Sequence, residues 1–289
     1  MVFLKDFTLP SEKIENELLF CKLNIDSSVY PLNLFPSKRL SEIEFAPITC
    51  FYGGNGSGKT TLLNIIATSI DASRKALENN NSLFKQYIEN CRHTLVNEYD
   101  LIEKKYISSD DIFDYLLDMR AINNKIYRTK ELLKEEYDNA KYNTHVDNPL
   151  DEYEELKRSV DAKRMTKSKY IRTRLKNNSI ILESNGETAL DYWEREIREN
   201  SIYILDEPEN SLSAENQVKL AQFIEESARF YNCQFIISTH SPFILSLKDA
   251  CVYDLDDVPA RKKKWTDLKN MRVYYDFFQE NGKDFEGND

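Results

Sequence analysis

The stretch Gly53-Gly54-Asn55-Gly56-Ser57-Gly58-Lys59-Thr60 decides the fold of this chain. It holds four of the seven glycines in a sequence of 289 residues, so glycine is concentrated where the backbone must bend tightly. A compact apolar run, Ile48–Tyr52, precedes it and predicts a buried strand, and Thr61–Ser69 follows with apolar residues at helical spacing. Strand, glycine loop and helix in this order form the Walker A arrangement, which binds phosphate.

Each residue type of the loop suits one part of a bound nucleotide. The glycine N–H groups can curl round the β-phosphate, and the helix N-terminus adds its positive dipole end. Lys59 is expected to reach the β- and γ-phosphates, and the Thr60 hydroxyl to ligate Mg²⁺. The alternative is a glycine turn with an incidental lysine, which the flanking strand and helix disfavour. The predicted nucleotide-binding residues here are Gly53, Gly54, Asn55, Gly56, Ser57, Gly58, Lys59, Thr60 and Thr61.

A second apolar run ends in two acids and matches the Walker B pattern. It is Ile202-Tyr203-Ile204-Leu205-Asp206-Glu207, which predicts a buried strand that places Asp206 at its carboxyl end, as a second Mg²⁺ ligand beside Thr60. Glu207 can polarise the attacking water, a general-base role typically worth about 10²–10⁴ in rate. A strand end that merely caps a helix is the alternative, which the glycine loop makes less attractive.

Two segments together resemble the ATP-binding-cassette (ABC) ATPases, in the branch of SMC-like, DNA-repair and phage-defence proteins. They are Asp206-Glu207-Pro208-Glu209-Asn210-Ser211-Leu212-Ser213 and Ser238-Thr239-His240-Ser241-Pro242. The resemblance implies ATP and Mg²⁺ as cofactors. It also implies that Glu207 is the catalytic base and that His240 senses the γ-phosphate. Lys59 of the glycine loop is the third predicted catalytic residue. For His240 the alternative is a core histidine at a strand end.

The family's signature is similar to Ser184-Asn185-Gly186-Glu187, which lies upstream of Asp206 and opens a predicted helix, Thr188–Arg198. The resemblance implies that Ser184 and the Gly186 amide face the γ-phosphate of an ATP held by the opposite protomer. A simple capped helix, with Ser184 or Asn185 as the cap, is the alternative.

The sequence departs from the family pattern in two places. No glutamine stands at the loop expected between the first helix and the signature; Ser109, Asp110 or Asp111 occupies that place, and Gln86 lies too early. Ser213 stands where the family usually has aspartate after a leucine. The first departure affects the geometry around Mg²⁺ and water, and the second affects coupling between subunits.

The order of the predicted elements indicates an α/β fold, namely an ABC-type P-loop NTPase with a mostly parallel sheet, an N-terminal strand-rich segment and a helical insertion. We predict a single domain over residues 1–289 with the insertion at about 71–178 and its hairpin turn at Asn143–Pro149. The predicted strands are Val2–Leu9, Glu17–Ile25, Ile48–Tyr52, Tyr106–Ser109, Ser201–Leu205, Cys233–Ser238 and Val252–Leu255, and the later predicted helices are Ala214–Tyr231 and Met271–Phe278.

Within the insertion, the segment Lys157–Lys176 holds nine lysines or arginines against one acid, Asp161. Such a run is typical of nucleic-acid contact through phosphate neutralisation. The alternative is a solvated helix that pairs with the acid-rich stretch from Glu131 to Glu155. Both interpretations stay open at the level of sequence.

Composition and charge exclude several classes of protein. The net charge of −10 argues against a protein coated in positive charge, and no stretch approaches the 18 apolar residues of a membrane span. Five scattered cysteines lack metal-ligand spacing and predict reduced thiols. With no basic leader followed by a long apolar core, these features predict a cytoplasmic protein.

The leading hypothesis is an ATPase that forms a homodimer around ATP and drives a conformational switch. Its cellular task would be DNA repair or anti-phage defence, beside a separate effector such as a nuclease. One alternative is the nucleotide-binding subunit of an ABC transporter. The divergent signature, the missing glutamine loop that usually meets the membrane partner and the charged insertion count against it. The other is an ATP-sensing regulatory subunit, against which Lys59, Thr60, Asp206 and Glu207 count.

Overall fold

The computed structural model describes residues 1–20, 29–75, 82–96, 102–143, 153–175, 185–210 and 212–285. The chain forms two compact units: unit 1 is Met1–Phe113 with Asn185–Asp289, and unit 2 is Asp114–Ser184. The single domain with an insertion at about 71–178 stays a prediction. The part of the predicted insertion that precedes Asp114 belongs to unit 1.

Strands and helices alternate along most of unit 1. The strands are β1 (Leu4–Thr8), β2 (Glu42–Glu44), β3 (Ile48–Tyr52), β4 (Arg92–Leu95), β5 (Glu103–Ser108), β6 (Ser201–Asp206), β7 (Gln234–Ser238), β8 (Cys251–Asp254) and β9 (Arg261–Lys262). The helices of the chain are α1 (Glu12–Phe20), α2 (Leu34–Ser37), α3 (Lys59–Ser69), α4 (Ser82–Glu89), α5 (Ser109–Asp138), α6 (Tyr153–Arg164), α7 (Lys167–Arg174), α8 (Asn185–Glu196), α9 (Ala214–Phe230), α10 (Pro242–Leu245), α11 (Lys269–Glu280) and α12 (Gly282–Phe285), with a π-helical turn at Asn139–Asn143 and a 3₁₀ turn at Trp265–Asp267.

A six-stranded sheet in the order β5-β6-β7-β3-β8-β9 carries the motifs. All its neighbouring pairs are parallel except β8 and β9, so the predicted mostly parallel sheet is confirmed. Strands β3, β6 and β7 are buried along their whole length, which explains their continuous apolar sequences. Because β6, β7 and β3 are adjacent and parallel, the carboxyl ends of all three strands lie at the same edge of the sheet.

A small antiparallel sheet in the order β2-β1-β4 forms the N-terminal part of unit 1. The buried side-chain oxygen of Gln234, at the start of β7, accepts hydrogen bonds from the backbone N–H groups of Phe3 and Leu4 at 2.9 and 2.8 Å. Strand β4 falls within the predicted helical insertion and was not expected, because its four residues are half exposed and lack an apolar alternation.

The strand predicted over Glu17–Ile25 is wrong where the structure describes it, because Glu12–Phe20 forms helix α1. Ile14, Leu18 and Leu19 recur at helical spacing, and the two leucines pack against the core. Glu15 turns inward from the same helix and accepts hydrogen bonds from the backbone N–H of Asn33 and the hydroxyl of Tyr87. These contacts across the fold select the helix, and residues 21–28 lie outside the described part of the chain.

Unit 2 is a set of helices around a small core of Tyr137, Ala140, Ala162 and Tyr170. Glu136 lies within 4.0 Å of both Arg158 and Arg174, and Lys167 contacts Asp138 at 2.5 Å. These ion pairs join the acid-rich and basic parts of the predicted hairpin. The turn predicted at Asn143–Pro149 lies outside the described residues after Asn143.

No helix in the described ranges combines the length and the apolar character needed to cross a membrane.

Candidate nucleotide-binding site

The glycine loop leaves the carboxyl end of β3 and ends at the first residue of α3, as predicted. Gly56 and Gly58 have φ angles of +80° and +95°, which side-chain-bearing residues rarely adopt. A Cβ atom at Gly53 would lie 2.5 Å from the Ser57 hydroxyl, and one at Gly58 would lie 2.9 Å from Leu34. Glycine is therefore required at these positions by backbone angle or by space.

Lys59 is buried at the centre of the site, with 5% of its surface exposed. Its Nζ donates to the backbone oxygen of Gly53 at 2.7 Å and lies 2.9 Å from His240 Nε2. The same amine lies 3.8 Å from Glu207 Oε1. The structure thus brings together the three residues predicted to be catalytic, and a buried amine at this place supplies positive charge for phosphate oxygens.

Asp206 ends β6 and accepts hydrogen bonds from three hydroxyl groups. Thr60 Oγ1 donates to Asp206 Oδ1 at 3.2 Å, and the Tyr106 hydroxyl donates to Asp206 Oδ2 at 3.2 Å. The Ser238 hydroxyl also donates to Oδ1. Burial raises the pKa of Asp206, while the three hydrogen bonds oppose that rise.

The two predicted Mg²⁺ ligands, Thr60 and Asp206, are in direct contact with each other. Oxygen ligands with a single carboxylate suit Mg²⁺, which is usually held by one or two carboxylates together with substrate phosphates. The residues present therefore fit the ion that the sequence predicts.

Glu207 has a φ angle of +49°, a left-handed conformation that is uncommon for glutamate. Its N–H donates to the backbone oxygen of Ser238 at 3.0 Å and to the Ser238 hydroxyl at 3.1 Å, which hold the residue in this conformation. Its Oε2 accepts from the side-chain amide of Asn210 at 3.0 Å. The carboxylate is thereby turned toward Lys59 and His240.

His240 follows β7, and its ring lies edge-on to that of Tyr52, with 6.1 Å between centroids. Its Nε2 lies 3.7 Å from Glu207 Oε1. Burial lowers the pKa of His240, and the neighbouring positive charge of Lys59 lowers it further. Glu207 and Asp256 oppose this lowering. Since a lysine ammonium can only donate, Nε2 is the acceptor of the hydrogen bond from Lys59 when it carries no proton.

Four residues of the site were missed by the sequence analysis: Tyr106, Ser238, Glu209 and Asp256. Tyr106 and Ser238 bind Asp206, and Glu209 accepts three hydrogen bonds from Thr239, His240 and Ser241. Both carboxylate oxygens of Asp256 accept from the backbone N–H of Gly54, at 3.0 and 2.8 Å. Their common signal is position, because each lies in or shortly after a strand of the six-stranded sheet.

The remaining predicted positions, which belong to the signature, the glycine loop and the place of the missing glutamine, lie as follows. Ser184 lies outside the described residues, and the backbone of Gly186 lies in the first turn of α8. The Thr61 side chain, also predicted to bind nucleotide, is a hydrogen-bond partner of Tyr30. Asp111 accepts from the N–H and hydroxyl of Ser108 at the end of β5, so it helps to terminate this strand beside Asp206.

Residues 88–246 match the family described as "AAA domain, putative AbiEii toxin, Type IV TA system". The chain belongs to this AAA family. The matched range contains Asp206, Glu207 and His240, while the glycine loop lies before it. This match confirms the predicted kinship with P-loop ATPases. No curated protein sequence matches the chain.

Solved structures similar to this AAA-family chain include two SMC heads and an ATP-binding cassette. The SMC head domain from Thermotoga maritima is 15% identical, with a TM-score of 0.39, and the match covers 88% of this chain and 94% of that one. The Smc head with an extended coiled coil bound to the C-terminal domain of ScpA, from Pyrococcus furiosus, is 13% identical, with a TM-score of 0.40 and coverages of 96% and 100%. An ATP-binding cassette in a dimeric post-hydrolysis state with ADP and Pi is 15% identical, with a TM-score of 0.35 and coverages of 78% and 90%.

Proposed function

We propose that the protein hydrolyses ATP at the edge of the sheet where β3, β6 and β7 end. The observation that carries this proposal is the convergence of Lys59 Nζ with His240 Nε2 at 2.9 Å and with Glu207 Oε1 at 3.8 Å. The contact of Thr60 with Asp206 lies at the same edge. A cation, a base and a metal-ligand pair are groups that phosphoryl transfer to water uses.

In this proposal each residue of the chain has one task. The loop N–H groups and Lys59 bind the phosphates, while Thr60 and Asp206 hold Mg²⁺, which neutralises phosphate charge when it is bound. Glu207 accepts the proton of the attacking water, and its hydrogen bond to Asn210 keeps the carboxylate oriented. His240 is the γ-phosphate sensor, because its ring already contacts the amine that binds this phosphate.

We further propose that two chains form a dimer around ATP, with Ser184 and Gly186 of one facing the nucleotide of the other. The helix that begins at Asn185 supports this arrangement, because a helix N-terminus favours a bound anion. The test is light scattering after size-exclusion chromatography on Glu207→Gln, with and without Mg-ATP. Glu215→Gln is a matched control, since this exposed glutamate pairs only with Lys219 on the surface of α9 among the described residues.

The expected result is an ATP-dependent shift from monomer to dimer for Glu207→Gln, together with loss of ATP hydrolysis by at least about 10²-fold. Glu215→Gln should hydrolyse ATP like the wild-type protein. Monomeric Glu207→Gln with ATP bound contradicts the dimer. Binding without hydrolysis by the wild-type protein contradicts the ATPase and favours an ATP-sensing regulator.

We propose a cellular role in defence or DNA repair with a separate effector, such as a nuclease. The toxin–antitoxin system named in the family's description supports a defence role. Nucleic-acid contact through Lys157–Lys176 belongs to the same proposal. Arg158, Lys167 and Arg174 of this segment are engaged in ion pairs within unit 2. The exposed basic residues with no ion pair among the described residues are Lys157, Lys163, Arg164, Lys169 and Arg172.

A binding assay against DNA and RNA at two salt concentrations tests nucleic-acid contact. Replacement of Lys163, Arg164 and Lys169 by glutamine should weaken binding and reduce its salt dependence by roughly one unit of slope per lost contact. Wild-type binding that does not depend on salt contradicts the proposal.

A further inference from the structure

Two loops carry the proposed base and the proposed sensor, and both are anchored by Glu209. Glu207 lies in the loop after β6, and His240 lies in the loop after β7. Glu209 stands in the first loop with only 7% of its surface exposed. Its Oε1 accepts from His240 N–H at 2.7 Å, from Ser241 N–H at 3.1 Å and from the Thr239 hydroxyl at 2.6 Å.

We propose that Glu209 is a positioning residue that sets His240 against Lys59 and Glu207, so that the sensor and the base act at the same phosphate. This inference rests on the proposed ATPase function. Three donors from consecutive residues converge on a single oxygen, so the carboxylate fixes the peptide planes on both sides of His240. A shift of about 1 Å in a catalytic group can lower a rate about 10²-fold.

A second link connects the same two loops. The Ser241 hydroxyl donates to Gln217 Oε1 at 2.8 Å, and Gln217 Nε2 donates to the backbone oxygen of Leu212 at 3.1 Å. Ser241 N–H has another acceptor in the Thr239 hydroxyl at 2.9 Å. The N–H of His240 has no such alternative among the described residues, so loss of Glu209 acts chiefly on His240.

All the hydrogen bonds of the Glu209 side chain use Oε1, since Oε2 is buried and has no partner among the described residues. An amide oxygen at the same place can accept the same three hydrogen bonds. Glu209→Gln therefore keeps the positioning role, whereas Glu209→Asp keeps the charge and loses the reach. The pair of variants separates geometry from charge.

The experiment is steady-state ATP hydrolysis by the full chain, in a cycle of Glu209→Ala, His240→Ala and the double variant. Glu209→Ala should lower kcat about 10- to 100-fold and change KM for ATP by less than about threefold. Glu209→Gln should stay within about threefold of wild type, and Glu209→Asp should behave like Glu209→Ala. In the His240→Ala background, Glu209→Ala should lower kcat by less than about twofold, because it acts through the missing ring.

Glu15→Ala is the matched control. Glu15 is also a buried glutamate that binds one backbone N–H and one hydroxyl, but it lies on α1 and contacts Asn33 and Tyr87. It should lower stability without changing kcat per folded molecule. Equal losses from Glu209→Ala with and without His240 overturn the inference, as does an unchanged kcat.

A second measurement does not depend on hydrolysis. The chain has three histidines, so NMR titration can assign His240 by comparison with His240→Ala. Glu209→Ala should move the pKa of His240 upward toward its ordinary value, because the ring leaves its half-buried place beside Lys59, Glu207 and Asp256. Glu15→Ala should not move it. If the wild-type protein does not hydrolyse ATP, the proposed function fails, and an unmoved pKa in Glu209→Ala still overturns the positioning role separately.

Discussion

Replacing Ser238 by alanine should destabilise the protein and move the acid limit of its activity to higher pH. The Ser238 side chain is fully buried at the end of β7. Its hydroxyl donates to Asp206 and accepts from the N–H of Glu207 at 3.1 Å. The N–H of Glu207 keeps the Ser238 backbone oxygen at 3.0 Å, so the main loss is one hydrogen bond to a buried carboxylate.

The magnitude follows from the charge of the acceptor. A hydrogen bond to a charged group contributes about 1.5–3 kcal/mol, against about 0.5–1.5 kcal/mol for a neutral pair. We therefore expect the free energy of unfolding to fall by about 2 kcal/mol, which lowers Tm by roughly 3–4 °C for a chain of 289 residues. Since the Ser238 hydrogen bond opposes the rise caused by burial, its loss raises the pKa of Asp206 further. The acid limb of the ATPase profile should then shift to higher pH.

Ser201→Ala provides the comparison for this experiment. Ser201 is equally buried at the start of β6, but its hydroxyl donates to the neutral backbone oxygen of Glu199 at 3.0 Å. Thermal unfolding at pH 7.5 and ATPase assays from pH 5 to 9 should show a larger Tm loss for Ser238→Ala, and a displaced pH profile for it alone. Equal Tm losses with coincident pH profiles would refute the reasoning from the buried carboxylate.

Three further predictions concern stability. Asp206→Asn should abolish hydrolysis yet raise the Tm of the nucleotide-free protein at pH 7.5 by about 2–4 °C, because burial disfavours the charged form, and an unchanged or lower Tm contradicts this. Gly58→Ala should lower the free energy of unfolding by about 1–2 kcal/mol through its φ of +95° and its approach to Leu34, and should weaken ATP binding in a fluorescence titration. Because burial and Lys59 lower the pKa of His240, the unfolded state binds its proton at higher pH than the folded state. Stability should therefore fall as pH drops below about 6.5, and His240→Gln should reduce that slope in denaturant titrations.

The parts of the fold that the sequence predicted are those in which local pattern and burial agree. Strands β3, β6 and β7 are buried along their whole length, so most of their residues are apolar, and such runs are visible without any structure. Helix α1 and strand β4 lack this agreement. The helix depends on contacts of Glu15 with Asn33 and Tyr87, and β4 depends on pairing with β1, which lies far away in sequence.

The site residues also divide into those that a local sequence motif predicts and those that depend on contacts between distant segments. Lys59, Thr60, Asp206, Glu207 and His240 stand at fixed places in motifs, and the structure brings them to one edge of the sheet. Tyr106 belongs to no motif, and Ser238 stands in the segment that carries His240 without a role of its own in that resemblance. Their role depends on register, since Ser238 is paired with Asp206 across β6 and β7. Register is a property of pairing, which a single sequence does not state.

Glu209 and Ser238 together follow from one physical requirement. The backbone N–H groups that come after a buried strand have no sheet partner, yet they lie where water is scarce, so each needs an acceptor from a neighbouring segment. The loop after β6 finds its acceptors in Ser238, and the loop after β7 finds its acceptor in Glu209. Each loop therefore supplies hydrogen-bond acceptors to the other, and the two proposed catalytic side chains, Glu207 and His240, are carried on loops that are joined by these hydrogen bonds. In the proposed mechanism, His240 detects the phosphate from the loop after β7 and Glu207 activates water from the loop after β6. The hydrogen bonds between the two loops set the positions of these side chains relative to each other.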